Sequence, residues 1–185
     1  MIRISEWILK EPDLLEIFVT WRRHSREKFF ARFAESRPSM ERYLRGVCQD
    51  PFRVLFLIED QNLLPLGHIG LKALDSSTPE IDAVMVNPNA RAKGVMSWAL
   101  EQCVLSLGSL AHVSNVKLDV LSNNEQAISL YRKCGFVHAS SRSLRLVQGE
   151  GFEVLTPCDP EDSDISIRAV TMTRELEHAS KQVVD

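Results

Sequence analysis

Several familiar signals are missing from this sequence of 185 residues, and each absence narrows what the chain can do. No apolar run approaches the roughly 20 residues of a membrane-spanning helix. Met1 to Lys10 lacks the apolar stretch of a secretory signal, so an intracellular, cytoplasmic protein with no membrane partner is expected. Cysteine is scarce: Cys48, Cys103, Cys134 and Cys158 lie far apart, with no CxxC and no histidine at ligand spacing. That pattern supports neither a zinc site nor a redox pair, and the four thiols are read as small buried apolar groups. Charge of one sign is also lacking, and a net charge of -3 gives no bulk attraction to nucleic acid. Neither GxxxxGK[ST] nor GxGxxG occurs, which argues against a nucleoside triphosphate. There is no internal repeat.

What is present is enough apolar content for one core. With 44% hydrophobic and 25% charged residues, the chain suits one well-buried domain, expected over 1–174, with a polar tail over 175–185. Ile2 to Leu9 reads as a strand. Asp13 opens a helix carrying Leu14, Ile17, Phe18 and Trp21 at helical spacing, and Ser39 is the expected cap of a second helix. Phe52 to Glu59 is an apolar strand covered on both faces, followed by strands over Leu64 to Leu74 and Glu80 to Val86. A helix from about Lys93 to Leu107 places Met96, Ala99, Leu100, Cys103 and Leu107 on one stripe, with Gly108 as its stop. Val116 to Leu121 is a strand, Asn123 or Asn124 caps a helix ending at Gly135, and Val137 to Val147 is extended again. The stretch Gln148 to Asp164 interrupts the pattern before a last strand, Ser166 to Thr173. This order describes a mixed α/β fold around one central sheet.

Two segments carry chemistry. Val84 to Met96 runs from an apolar strand through Arg91-Ala92-Lys93-Gly94 into a helix, where exposed backbone N–H groups and the helix dipole favour an anion. Gly94 permits close backbone approach, while Arg91 and Lys93 add charge. In the second segment Asn124 and Tyr131 stand seven residues apart, about two helical turns, so an amide and a phenol share one face.

Taken together, Arg91-x-x-Gly94-x-Met96 and Asn124-x-x-Ala127-x-x-Leu130-Tyr131-x-Lys133-x-Gly135-Phe136 resemble the GCN5-related N-acetyltransferases, the GNAT superfamily, best over Val54 to Val147. One departure is Met96, where the family usually has Gly or Ala. The resemblance implies a single domain with a mixed, mostly antiparallel central sheet flanked by helices, and acetyl-CoA as donor. It implies that the backbone of Val84, Met85 and Val86 binds the pantetheine arm. The loop Arg91, Ala92, Lys93, Gly94, Val95 and Met96, with Ser97, would hold the pyrophosphate. Asn124 would contact the arm and Tyr131 would act as general acid.

The base is open among three carboxylates. Glu80 and Asp82 alternate along one strand and point to one face. Asp119 resembles an acidic position used by some protein N-terminal acetyltransferases of the family. Of the histidines, only His68 stands beside the expected site; His24, His112, His138 and His178 read as surface or element-end residues.

The acceptor is expected to be a small-molecule amine. Arg22, Arg23, His24, Arg26, Lys28, Arg32 and Arg37 form a basic cluster that suits an anionic acceptor such as a nucleotide-linked amino sugar. Polyamines are a further subclass. A protein N-terminus or ribosomal protein, and a silent acyl-CoA-binding role, are the alternatives. A monomer and a homodimer are equally compatible with the sequence.

Overall fold

The computed structural model describes residues 1–3, 11–33, 36–90, 94–150 and 152–176. Nine strands form one sheet in the order β1-β3-β4-β5-β6-β9-β7-β8-β2. The strands are β1 (Ile2–Arg3), β2 (Ala31–Phe33), β3 (Val54–Glu59), β4 (Pro65–Lys72), β5 (Glu80–Val86), β6 (Asn115–Leu121), β7 (Val137–Gly149), β8 (Phe152–Pro157) and β9 (Arg168–Glu175). The helices are α1 (Pro12–His24), α2 (Arg37–Gln49), α3 (Val95–Gly108) and α4 (Glu125–Lys133). Every neighbouring pair is antiparallel except β5 and β6, which makes the sheet mixed and mostly antiparallel as expected.

Side-chain alternation along the strands divides the core between the two faces of the sheet. On one face, α3 and α4 pack onto Ile58, Ile69, Leu71, Ile81, Val116, Leu118 and Val120. On the other, α1 and α2 cover Leu55, Leu57 and Met85. All five residues of the expected α3 stripe are buried. Each large side chain of such a stripe contributes about 1.5–3 kcal/mol by burial, and truncating Leu100 to alanine is expected to cost about 2–5 kcal/mol.

Several boundaries differ from the sequence reading. The first strand is described only at Ile2–Arg3, and residues 4–10 lie outside the described residues. Helix α2 is capped at Ser36 rather than Ser39, because Pro38 is compatible with the first helical turn and lets the helix begin earlier. Gly108 closes α3 from within, and Ser109 is the C-cap. Two strands were not expected. β8 lies inside the stretch read as an interruption and forms a hairpin with β7, while β2, from the α1–α2 connection, pairs with β8. β9 runs to Glu175 and Leu176 is buried in the core, so the packed chain extends past 174; residues 177–185 lie outside the described residues.

Among the described residues no helix is long and apolar enough to cross a membrane. All four cysteines are free, with Cys103 and Cys134 buried but Cys48 and Cys158 only half-buried, which corrects the expectation for those two.

Candidate active site

β5 and β6 pair over two residues only, Glu80 with Lys117 and Ile81 with Leu118. Beyond Ile81 the two strands share no further ladder, so Val84, Met85 and Val86 have no strand neighbour on that side among the described residues. A bulge accompanies the parting. Opposite β4, His68 pairs with Met85 and Gly70 with Asp82, leaving Ile69 to face both Ala83 and Val84. Ala83 takes a left-handed φ of 48°, which costs an alanine about 1–2 kcal/mol and therefore must be held by its surroundings. Its carbonyl accepts a hydrogen bond from His68 Nδ1 at 2.6 Å.

Further along the chain, α3 begins without a side-chain cap. Gly94 is the N-cap of α3 with φ 84°, a conformation natural to glycine, and no side chain caps the helix. The first intrahelical bond runs from the Trp98 N–H to the Gly94 carbonyl at 3.0 Å, so the N–H groups of Val95, Met96 and Ser97 have no partner within the helix. Met96, the departure from the family pattern, is 5% exposed and its side chain packs into the core. Arg91, Ala92 and Lys93 lie outside the described residues.

Asn124 is the N-cap of α4, its Oδ1 accepting from the Ala127 N–H at 3.3 Å. It thus precedes the helix instead of sharing a helical face with Tyr131, and its amide nitrogen makes no hydrogen bond among the described residues. Tyr131 is 6% exposed and packs edge-on against Phe136 with ring centroids 6.3 Å apart. Burial, with the nearby Cys134 adding, pushes its phenol above the ordinary value, so it keeps its proton at neutral pH.

The three carboxylates share the opposite face of the sheet. Register places Glu80 beside Lys117, and Asp119 next along that row of β6. Their surroundings differ. Both oxygens of Asp119 are engaged, by Arg142 at each and by the Thr171 hydroxyl at 2.6 Å. Partial burial raises this carboxyl, but the hydrogen bonds from Arg142 and Thr171 and the Arg142 charge outweigh it and hold it below the ordinary value. Asp82 Oδ2 pairs with Arg53 at 2.5 Å, and the same guanidinium donates to the Tyr43 hydroxyl at 3.3 Å. Asp82 Oδ1 is buried without a partner, and burial raises the carboxyl although Arg53 opposes it. Glu80, 14% exposed, has Oε1 at 2.7 Å from Lys72 Nζ, while among the described residues Oε2 keeps only a 3.9 Å approach from Lys117.

Three members of the basic cluster are engaged within the fold. Arg22 donates to the Ala31 carbonyl and lies 3.5 Å over the Phe29 ring; Arg26 pairs with Glu153, and Arg32 with Glu27 and Glu153. These contacts tie the α1–α2 connection to the hairpin of β7 and β8. Apart from this, a cavity of about 530 Å³ lies between α1 and the ends of β4 and β5, lined by residues including Trp21, Leu66 and Asn89. Sequence reasoning missed Arg53, Tyr43 and Gly70, none of which has a local signature.

Among known proteins, residues 14–136 match the family described as "Acetyltransferase (GNAT) family". No curated protein matches the chain. The fold is similar to that of a spermidine N-acetyltransferase from Vibrio cholerae in complex with CoA and spermine, with 15% identity, 95% of this chain and 94% of that chain covered, and a TM-score of 0.70. A proposed phosphinothricin N-acetyltransferase gives 16% identity, 95% and 96% coverage, and a TM-score of 0.62. At these identities the likeness concerns the fold.

Proposed function

Since the chain belongs to the GNAT family of acetyltransferases and is an acetyl-CoA-dependent N-acetyltransferase, we propose that it acetylates a primary amine of a small aliphatic polyamine. The observation that supports acetyl-CoA as the donor is the parting of β5 from β6 after Ile81, together with a start of α3 that no side chain caps. Unpaired strand backbone suits an amide-bearing arm, and a glycine-capped helix start suits its pyrophosphate, so these residues fit acetyl-CoA. Bound there, the cofactor supplies an acetyl group activated as a thioester.

Val84, Met85 and Val86 hold the arm through backbone groups. Gly94, Val95, Met96 and Ser97 receive the pyrophosphate, with Arg91, Ala92 and Lys93 completing the loop, and the Asn124 amide nitrogen adds a donor. On one face of the sheet Tyr131 carries the proton needed by the departing sulfur. On the other, Glu80 Oε2 takes the proton that the acceptor ammonium must lose. A base needs a reachable lone pair before it needs a suitable pKa. Asp82 and Asp119 have their oxygens committed or enclosed, and act as scaffold for the groove.

The polyamine reading draws on the spermidine acetyltransferase likeness. Engagement of Arg22, Arg26 and Arg32 in internal contacts weakens the case for a phosphate-bearing acceptor. Release of thiol from acetyl-CoA, assayed with spermidine, an N-terminal peptide and a nucleotide-linked amino sugar side by side, tests this. Preferred turnover of the peptide or the sugar would overturn the acceptor class. CoA-dependent thermal stabilisation without thiol release from any amine would mark a binding module.

A further inference from the structure

Resting on β5 as the cofactor strand, we infer that His68 is a positioning residue for acetyl transfer. It holds the Ala83 carbonyl, and so fixes the bulge from which Val84, Met85 and Val86 present their backbone to the cofactor arm.

Three observations lead there. A bulge takes one residue out of the cross-strand ladder. Here the carbonyl of that residue, Ala83, is met by a side chain, His68 Nδ1 at 2.6 Å. A carbonyl only accepts, so Nδ1 carries the hydrogen and the tautomer is defined. Second, Ala83 holds φ 48° where glycine is the residue that does so freely, so the conformation depends on contacts around it. Third, the imidazole has little freedom to turn away. His68 is 8% exposed, Phe18 meets the ring edge-on at 5.1 Å, and Trp21 stacks on it at 6.2 Å and 29°. Helix α1 therefore clamps the ring, the ring clamps the carbonyl, and the carbonyl sets the orientation of the peptide that follows. That peptide carries the Val84 N–H at the place where β5 has lost its β6 neighbour.

A buried histidine that only fills space would be replaced by a residue of similar bulk. The test compares His68→Leu, which keeps bulk, with His68→Asn, whose amide places an N–H close to the position of Nδ1. Steady-state rates are measured with spermidine, or with the amine the wild-type chain turns over. His68→Leu is expected to lower kcat/KM for acetyl-CoA by about 10- to 100-fold, the scale of a small misplacement in a reacting centre, with the acceptor KM little changed. His68→Asn is expected to recover most of that loss. An unchanged kcat/KM in His68→Leu overturns the inference, as does an Asn variant that is folded yet as slow as the Leu variant.

Should His68→Leu fail to fold, the wild-type protein decides. The His68 Nδ1–H resonance, followed by 15N NMR, is expected to be protected from exchange and to move as CoA is added. A resonance that stays in place at saturating CoA overturns the inference alone. A wild-type chain that binds no CoA removes the reading of β5 together with it.

Discussion

Gly70 on β4 and Asp82 on β5 are register partners, and the glycine is what leaves room for the carboxylate. A Cβ at position 70 would overlap Asp82 Oδ1 and stand 3.2 Å from the Asp82 carbonyl oxygen. The carboxylate cannot simply swing aside, because Oδ2 is anchored by Arg53 at 2.5 Å. Gly70→Ala is therefore expected to destabilise by about 1–3 kcal/mol, the usual range for overpacking. At roughly 2–4 °C per kcal/mol for a chain of this size, the melting temperature should fall measurably. A melting temperature equal to wild type would mean that the Arg53–Asp82 pair relaxes without cost.

Glu80 and Asp119 are separated by their neighbours rather than by their position. Asp119 is held below the usual carboxylate range, with partial burial opposed by Arg142 and Thr171, and both its oxygens already accept hydrogen bonds from these two residues. Among the described residues Glu80 Oε2 has only the 3.9 Å Lys117 contact. Glu80→Gln is expected to lower kcat by about 10²- to 10⁴-fold, while Asp119→Asn keeps kcat within a few-fold and loses stability. Steady-state kinetics beside thermal melts of the two variants decide the matter. The opposite pattern would move the base to β6.

Tyr131 offers a clean separation of catalysis from stability. Its hydroxyl makes no hydrogen bond among the described residues, while its ring is packed against Phe136. Tyr131→Phe keeps the ring, so the melting temperature should stay close to wild type. Turnover should fall by about 10²- to 10⁴-fold if the phenol gives its proton to the leaving sulfur. CoA affinity, read by calorimetry, should be retained. A variant with wild-type kcat would remove the phenol from that role.

The contrast between α3 and β2 shows what the sequence could and could not reveal. Helix α3 announces itself through five apolar residues on one stripe, each buried in the structure, because periodicity over a long helix is a local property. β5 likewise spans the expected Glu80 to Val86. β2 has three residues and exists by pairing with β8, far along the chain, so no local pattern encodes it. The same holds at the site. Asn124, Tyr131 and Gly94 stand in recognisable motifs, whereas the partners that decide among the carboxylates come from distant positions: Arg53 is 29 residues from Asp82, and Thr171 is 52 from Asp119. The bulge at Ala83 depends on the register with β4, and alanine gives no hint of a left-handed φ.

His68 should also leave a signature in the pH dependence of folding. Burial lowers its pKa from 6.5 to about 4; the Ala83 hydrogen bond works against that shift, and the Arg22 charge adds to it. Between these values the unfolded chain binds a proton that the folded chain does not, so stability present above pH 6.5 is lost progressively as the pH falls through about 4. At about 1.4 kcal/mol per pKa unit, the loss approaches ~3 kcal/mol. Asp119 acts in the same direction at lower pH, since its carboxyl is held low, and Asp82 acts in the opposite one, since its carboxyl is raised. Comparing wild type with His68→Asn cancels both contributions. Urea unfolding at pH 7, 5.5 and 4.5 should show the wild type losing up to ~3 kcal/mol more than the variant over that span. Parallel curves would mean that the imidazole takes up its proton within the fold, which is incompatible with a ring buried between Phe18 and Trp21.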